Sequence, residues 1–446
     1  MLFTKKDLRK LIIPLVIEQT LGLTVGMFDA IMVSFAGESA MAGVSLVDTI
    51  AILLINLFSA FASGGAILVG QFIGAKDDKD ASLAARQLVN VSLLISVAIT
   101  VLCMTLNAQI LGLFFGGVNA DVMSSARSYF YITTLSYPAV ALFNACAALF
   151  RGTGNSKTPM VNSLIMNGIN IVGNAIFIYG FNMGAFGAGL STTIARYVAA
   201  VTMLVMLRNP KLVISVRSYR FWVLDWPMIR HILRYGVPNG LENSLFQVGK
   251  IILAGLVATL GTASIAANSV INNLGGIEVI PGSAMGIALT TVVAQCVGAH
   301  EYEQARKYIK QLMLITYAGM IAFSVLMYAA SPLLLRVYNL SDETFRLASK
   351  IMLIHSIGTA LVWTTAFVPA SALRAAGDVV YPMVIAIVSM MVCRVGFSYL
   401  FVYTTDWAIM SVYAGILIDW TFRSVLYMKR YLSGKWRRAS ENAVYR

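Results

Sequence analysis

Hydrophobic residues along this chain of 446 residues fall into long apolar runs separated by short polar stretches. Each run exceeds the roughly 20 residues that an α-helix needs to cross the hydrocarbon core of a bilayer. The pattern therefore predicts an all-α integral membrane protein with twelve transmembrane helices. The predicted spans lie at roughly 11–35, 44–72, 88–112, 125–150, 160–181, 185–207, 233–260, 266–297, 311–336, 345–370, 380–403 and 408–429.

The composition narrows the class of protein. Hydrophobic residues make up 58% of the chain, charged residues only 12%, and the mean hydropathy is +0.77. A soluble core cannot bury that much apolar surface, so these values exclude a soluble enzyme, a disordered chain and a coiled coil. The four cysteines lie in apolar runs without the spacing of metal ligands. We therefore expect neither a disulfide nor a cofactor.

The second half of the chain repeats the first. Identical residues recur at an offset of 224, among them Pro14 and Pro238, Glu18 and Glu242, and Gln71 and Gln295. Each half holds six spans, an even number, so both halves enter the membrane with the same orientation, as in transporters with parallel repeats. We predict two pseudo-symmetric six-helix lobes, residues 1–207 and 233–446, joined by a basic linker at 208–232.

The distribution of basic residues predicts the orientation in the membrane. If the N-terminus is cytoplasmic, the cytoplasmic loops and the two tails carry 25 of the 33 Lys and Arg residues. Basic residues collect in cytoplasmic loops, so the net charge of +13 indicates orientation and not binding of nucleic acid. We expect a multi-pass protein of the plasma membrane with both termini cytoplasmic.

One acid lies where a charge is costly. Asp29 is in the middle of the first span, and its repeat position in the second half is Leu253. A charge at the bilayer centre costs on the order of 2.5–3.5 kcal/mol. A carboxylate there can bind Na⁺ or take up a proton, and either role predicts an ion-coupling site.

A polar stripe in the fifth span adds oxygen atoms to the same half. Ser163, Asn167, Asn170 and Asn174 recur at i, i+4, i+7 and i+11, which places them on one face of a helix. Thr192 in the sixth span adds a hydroxyl. Two interpretations stay open, namely hydrogen bonds that hold helices together and oxygen ligands for a cation such as Na⁺.

The second half carries its own polar residues, either a substrate cleft or a network of structural ion pairs. They are Glu242, Asn243, Gln247 and Lys250 in the seventh span, Glu278 in the eighth and His355 in the tenth. A buried lysine needs a counter-charge, and Glu242 or Glu278 is the predicted partner of Lys250. His355 has no second His or Cys at ligand spacing, so a satisfied polar residue is favoured over a metal ligand.

Several segments together resemble the multidrug and toxic compound extrusion family of antiporters. They are PLVIEQ with FDAIMVS in the first span, VGQFIGA and AQCVGA after the second and eighth, and the loops FRGTGNSKTPM and LRAAGDVVYPM. The resemblance covers nearly the whole chain and implies two six-helix bundles in a V shape. It also implies export of cationic, amphipathic drugs in exchange for Na⁺ or H⁺, with Asp29 as the coupling acid. Asn170, Asn174 and Thr192 match a cation site of the family, and Pro14 matches a proline proposed to bend the first span.

Two other functions compete with the secondary antiporter. A flippase for lipid-linked precursors, a relative in the same broader superfamily, would be expected to carry a cluster of buried arginines in the cleft of the N-terminal lobe, and Arg127 and Arg196 are too few to favour it. A membrane channel or receptor would lack coupled counterflow. An enzyme is disfavoured because the chain has no nucleophile–base set and no phosphate-binding loop. We expect organic cations and membrane lipid as partners, and a monomer.

The predicted orientation can be checked with reporter fusions. A fluorescent protein fused after residue 437 should fold and fluoresce, because that end of the chain is expected in the cytoplasm. Alkaline phosphatase fused at the same place should be inactive, and the same enzyme fused in the loop at 117–119 should be active. The reverse pattern would contradict the predicted orientation.

Overall fold

The computed structural model describes residues 2–216, 223–338 and 340–437, and in the first helix the side chains at 25, 27 and 30 lie outside that description. Part of the predicted linker, 217–222, and the end of the basic tail, 438–446, are therefore outside the described residues. The first half of the chain forms α1 Lys5–Ser34, α2 Glu38–Gly74, α3 Asp78–Thr105, α4 Asn107–Phe115, α5 Ala120–Thr134, α6 Tyr137–Gly152, α7 Lys157–Asn174 and α8 Gly184–Leu207.

The second half forms a matching series of helices. It consists of α9 Trp226–Ala258, α10 Thr262–Glu278, α11 Ile280–Gly298, α12 Tyr302–Val337, α13 Asp342–Gly358, α14 Thr364–Ala375, α15 Val380–Val388, α16 Phe397–Thr404 and α17 Ile409–Leu432. Three short stretches are π-helical, with one extra residue per turn: Ala175–Gly180, Thr359–Trp363 and Ser389–Gly396. Such stretches are rare and frequently lie at functional sites.

Each predicted span overlies helical structure. Among the described residues, ten helical segments are long and apolar enough to cross a membrane, and the pair α5 and α6, bent by 47°, forms an eleventh. The first predicted span is α1, whose 30 residues are not in that count. The all-helical, multi-pass membrane fold is confirmed.

The duplication extends to the backbone. Shifted by 224 residues, α2 coincides with the stretch from the start of α10 to the end of α11. Gly37 and Gly261, which precede these stretches, have φ of 101° and 90°, a conformation that a side chain would strain. Lys76 and His300, which follow them, have φ of 59° and 57°. The two halves of the chain therefore form helical stretches of the same extent with the same backbone conformation at both ends, continuous in α2 and divided into α10 and α11 in the second half.

Packing divides the chain into two compact units. The N-terminal unit is Arg9–Gly240, and the C-terminal unit is Met1–Leu8 with Leu241–Arg446. The division falls within α9, because the first half of that helix packs on α2: a Cβ on Gly64 would lie 2.6 Å from the carbonyl oxygen of Tyr235. The hydroxyl of Tyr235 also donates to Gln71 at 3.1 Å. Close backbone contact thus holds this half of α9 in the N-terminal unit.

Each unit has its own apolar core. In the N-terminal unit the core lies between α2, α5, α6 and α8 and includes Val47, Phe58, Phe130, Tyr137 and Ala188. In the C-terminal unit it lies between α9, α10, α13 and α17 and includes Leu256, Ile271, Ile351, Met352 and Val412. Large apolar side chains also remain exposed along the helices, as expected where lipid replaces water.

An ion pair is duplicated along with the helices. Arg151 at the end of α6 pairs with Glu18 in α1, and Arg374 at the end of α14 pairs with Glu242 in α9 at 2.9 Å. The two acids are separated by the repeat offset, and Glu18 is 8% exposed. Each pair ties the end of one span to the beginning of another inside its own unit.

Removing the base from such a pair should destabilise the protein. We expect Arg151→Met to lower the free energy of unfolding by about 3–5 kcal/mol, because Glu18 would keep a buried charge without a partner. The double variant Glu18→Gln, Arg151→Met should recover part of that loss. Arg127→Met, at an exposed position of α5, is the control and should change little. Thermal unfolding in detergent measures all three, and equal stability of Arg151→Met and wild type would contradict the role of the pair.

Candidate functional site

The buried face of α7 is polar. Its buried residues are Pro159, Asn162, Ser163, Asn167, Asn170 and Asn174, so the predicted stripe points into the N-terminal unit. These residues are buried together because positions three, four or seven apart lie on one face of a helix. Several amides therefore lie where hydrocarbon would otherwise be, and they need hydrogen-bond partners inside the protein.

The stripe contacts α8 at Asn170. Nδ2 of Asn170 donates to Oγ1 of Thr192 at 3.0 Å, and Oγ of Ser191 donates to the backbone oxygen of Asn170 at 2.7 Å. Asn170 and Thr192, two residues predicted to share a site, are brought together. The contact holds the side-chain oxygens of α7 and α8 at a fixed separation.

Asp29 meets the same stripe one turn further along α7. Nδ2 of Asn174 donates to the carboxylate of Asp29. Asn174 is completely buried, and its Oδ1 has no hydrogen-bond partner. A buried carbonyl oxygen left in this state is costly, and a bound cation or a donor from a ligand would satisfy it.

A second acid lies close to Asp29, and sequence analysis missed it. Asp48 in α2 accepts a hydrogen bond from the hydroxyl of Tyr129 at 3.1 Å, and its charge interacts with that of Asp29. The signal was present, since Asp48 is an acid inside a predicted span, as Asp29 is. We define the N-terminal polar site as Asp29, Asp48, Asn170, Asn174 and Thr192.

Neither acid of the N-terminal polar site is locked to a base. In the described part of the chain, neither Asp29 nor Asp48 forms an ion pair. Arg196 in α8 is near enough for its charge to act on both carboxylates, but its Nη1 donates to the hydroxyl of Ser136 at 2.8 Å. The site thus offers two carboxylates and an unpaired carbonyl oxygen, which are ligands that hard cations prefer.

The polar residues predicted for the second half do not form one site. Glu242 pairs with Arg374, and Glu278 accepts from Nδ1 of His355 at 2.7 Å. The predicted pairing of Lys250 with Glu242 or Glu278 is wrong, because Glu242 binds Arg374 and Glu278 binds His355. Lys250 itself is exposed on α9.

The remaining residues of that prediction lie along α9. Asn243 and Gln247 are half-buried and share a face with Lys250, at intervals of four and three residues. Asp419 in α17 forms a further cluster that was not predicted, in which Arg394 and Arg423 bind one carboxylate at 2.7 and 2.6 Å. Each membrane acid named here in the C-terminal unit therefore has a basic partner.

Comparison with known proteins decides the family. The MatE family model matches residues 14–176 and 238–400, which is most of the chain, in two copies 224 residues apart. This chain belongs to the MatE family. The predicted resemblance and the predicted duplication are both confirmed, and the protein is a multi-pass membrane transporter of the multidrug efflux class and not an enzyme.

Relatives of this MatE protein match along nearly their whole length. The probable multidrug resistance protein YoeA of Bacillus subtilis is 26% identical, with 89% of this chain and 86% of YoeA covered. The probable multidrug resistance protein NorM of Thermotoga maritima is 25% identical, with 97% and 93% covered. A structure described as the outward-facing conformation of a multidrug resistance MATE family transporter is 21% identical, covers 99% and 97%, and superposes with a TM-score of 0.89, which shows the fold.

A glycine beside the N-terminal polar site allows α7 and α8 to approach. A Cβ on Gly173 would lie 2.4 Å from Oγ of Ser191, the hydroxyl that bonds the backbone of Asn170. We expect Gly173→Ala to break that bond, to cost about 1–3 kcal/mol of stability and to lower transport. Gly168→Ala in the same helix is the matched control, because a Cβ there meets nothing within 4 Å. Unfolding temperature and drug efflux measure both, and equal behaviour of the two variants would contradict the close contact.

Proposed function

We propose that this MatE protein is a secondary antiporter that exports cationic amphipathic compounds in exchange for Na⁺ or H⁺. It would work as a monomer in the cytoplasmic membrane, with both termini in the cytoplasm. The coupling ion would bind in the N-terminal polar site, and Pro14 in α1 would allow the helix that carries Asp29 to bend.

The difference between paired and unpaired acids supports this proposal. Glu18, Glu242 and Asp419 each have an arginine partner within 2.9 Å. Asp29 and Asp48 have an amide and a phenol instead. A permanent ion pair stays neutral through a transport cycle, whereas a carboxylate held by neutral donors changes charge when an ion binds or leaves. The two unpaired acids are therefore the groups through which an ion gradient can act.

The proposed cycle uses this change of charge. When the site opens outward, Asp29 takes up Na⁺ or a proton, and the neutralised site no longer attracts a cationic drug, which leaves. When the site opens inward, the ion is released and the anionic carboxylate attracts the next drug cation. The unpaired Oδ1 of Asn174 and the hydroxyl of Thr192 would supply neutral oxygen ligands if the ion is Na⁺.

The flippase alternative has less support. Such a protein would need clustered basic groups in the N-terminal unit to bind a pyrophosphate-like headgroup. Arg127 is exposed on α5, and Arg196 lies beside two carboxylates. The surroundings of Arg196 carry more negative than positive charge, which favours a cation over an anionic headgroup.

Removing the charge of Asp29 tests the proposal. In everted vesicles, whose lumen corresponds to the outside of the cell, wild type should move ethidium into the lumen when a Na⁺ or a pH gradient is imposed separately. Asp29→Asn should lose most of this coupled efflux, by at least about tenfold, because an amide carries no charge to be neutralised. Asp48→Asn should lose less, since one carboxylate remains.

Asp121→Asn is the control for loss of an acid, because Asp121 is exposed in the first turn of α5. It should transport like wild type. Coupled efflux of wild-type size in Asp29→Asn would reject the coupling site. Unitary conductance steps in bilayer recordings of wild type would instead favour a channel.

A further inference from the structure

Two segments that are distant in the sequence dock on the start of α12, within the C-terminal unit. The first is the segment 2–8. The backbone N–H of Phe3 donates to the hydroxyl of Tyr308 at 2.9 Å, and that hydroxyl donates to the carbonyl oxygen of Phe3 at 2.8 Å. The N–H of Leu2 donates to Oε1 of Gln304 at 3.0 Å. The ring of Phe3 is buried and meets the ring of Tyr308 edge-on, so this segment is fixed on α12.

The second docked segment is the end of α17 with the residues that follow it. Trp436 is buried, and its ring lies 6.5 Å from that of Tyr431 and 6.3 Å from that of Tyr302. The hydroxyl of Tyr431 donates to the backbone oxygen of Arg306 at 3.4 Å. The guanidinium of Arg437 lies over the ring of Tyr302, 4.9 Å from its centre. Aromatic contacts therefore hold this segment against the first turns of α12.

The exposed surface that the three segments share is basic. We define the basic surface as their exposed bases, namely Lys5, Lys6, Arg306, Lys307, Lys310, Lys429, Lys435 and Arg437. The exposed acids of the same segments are Asp7, Glu301 and Glu303, so eight bases are set against three acids, a net charge of +5. Among the described residues, no ion pair joins Arg306, Lys307 or Lys310 to an acid.

The equivalent part of the first half does not carry this charge. At the repeat offset of 224, residues 301–310 correspond to 77–86, and Arg306 corresponds to Ser82. The stretch in the first half has three acids and two bases, whereas the stretch in the second half has two acids and three bases. A general preference of basic residues for one side of the membrane would act on both halves alike. It therefore does not account for an excess in one of them.

The basic surface lies where the helices leave the apolar part of the membrane. On α12, Arg306, Lys310 and Leu314 recur at intervals of four, so they lie on one face of the helix, and Leu314 is 71% exposed. On α17, Val425 and Lys429 have the same spacing, and Val425 is 59% exposed. Both helices are long and apolar enough to span a membrane, so their exposed apolar side chains face lipid. Bases one or two turns beyond these side chains lie at the depth of the lipid headgroups.

We propose that the basic surface binds the headgroups of anionic phospholipids, and that the bound lipid joins the segment 2–8 to α12 and to the end of α17. Charge complementarity and depth both favour this partner, because a lipid phosphate lies at the level of these bases. Each base near an anionic membrane surface should strengthen binding about fivefold. Phe3 and Trp436 place the segments before a lipid binds, which lowers the entropy cost of binding. The segment 2–8 leads into α1, so bound lipid would hold one end of the helix that carries Asp29.

The test is thermal unfolding of the full chain in detergent micelles to which dioleoylphosphatidylglycerol or dioleoylphosphatidylcholine is added in steps. A lipid that binds the folded protein raises the unfolding temperature, and the concentration that gives half of the rise measures affinity. Wild type should respond at lower concentrations of phosphatidylglycerol than of phosphatidylcholine, and high salt should weaken this preference. The double variant Arg306→Gln, Lys307→Gln should need on the order of 20-fold more phosphatidylglycerol.

The matched control removes two exposed bases from the equivalent end of the first half. Lys76→Gln, Lys79→Gln should keep the affinity of wild type, because these bases lie outside the basic surface. Lys307→Arg should also keep it, since the charge is retained. Trp436→Ala keeps every charge but frees the segment after α17, and it should weaken the response to phosphatidylglycerol.

Three results would overturn the proposal. They are equal responses of wild type to the two lipids, equal losses in the two double variants, and full stabilisation by inorganic phosphate without anionic lipid, which would indicate a soluble anion as the ligand. The unfolding temperature without lipid shows whether a variant folds. If Arg306→Gln, Lys307→Gln does not fold, Lys429→Gln, Lys435→Gln takes its place, with the same expected loss and the same contradicting result. None of these measurements depends on transport, so they stand apart from the antiport proposal.

Discussion

A charge placed in hydrocarbon must find a partner or be neutralised, and this constraint organises the polar chemistry of the whole molecule. Glu18 with Arg151 and Glu242 with Arg374 satisfy it permanently and at equivalent positions of the two halves. Asp29 satisfies it only in part, since its donor is a neutral amide. The same physical cost that makes paired acids useful as structural ties makes unpaired acids useful as places where an ion binds and leaves.

The duplicated backbone and the unequal side chains follow from one property of membrane helices. A helix satisfies its own backbone hydrogen bonds, so the span persists whatever side chains it carries. The two halves accordingly keep the extent of the stretch that begins after Gly37 and Gly261, and both glycines have positive φ. The polar side chains have diverged within that shared frame. Apart from the arginine–glutamate pair that both units share, Asp29 in the N-terminal unit binds an amide, whereas Asp419 in the C-terminal unit binds two arginines.

The spans and the repeat could be predicted from the sequence because both are local patterns, read from hydrophobic runs and a constant offset. The inward direction of the stripe through Asn170 and Asn174 followed from helical spacing in the same way. Choice of partner could not be predicted, because it depends on distances across helices that the sequence does not contain. Lys250 was expected to be buried beside Glu242 or Glu278, but it is exposed, and Arg374 and His355 bind the two acids instead.

Two further features escaped the sequence for a different reason. Asp48 lies in a strongly apolar span, and the average hydropathy of that span hardly changes with a single acid. The free-energy cost of placing its charge in the membrane is nevertheless of the same kind as that of Asp29. The π-helical stretch at Thr359–Trp363 arises from one extra residue per turn, which hardly changes the spacing of apolar positions. In both cases the average hydropathy of a span predicts the fold. A single residue or turn that departs from that average marks a polar or irregular position, which the average does not reveal.

The helix α2 and the equivalent stretch of the second half, α10 with α11, differ although they have the same extent. In the first half the 37 residues of α2 form one continuous helix, and the position equivalent to Glu278 is Leu54. In the second half Pro281 removes a backbone donor, the helix divides into α10 and α11, and a carboxylate occupies the division. The same template therefore gives an uninterrupted helix in one half and, in the other half, a divided helix with a buried ionisable residue at the division.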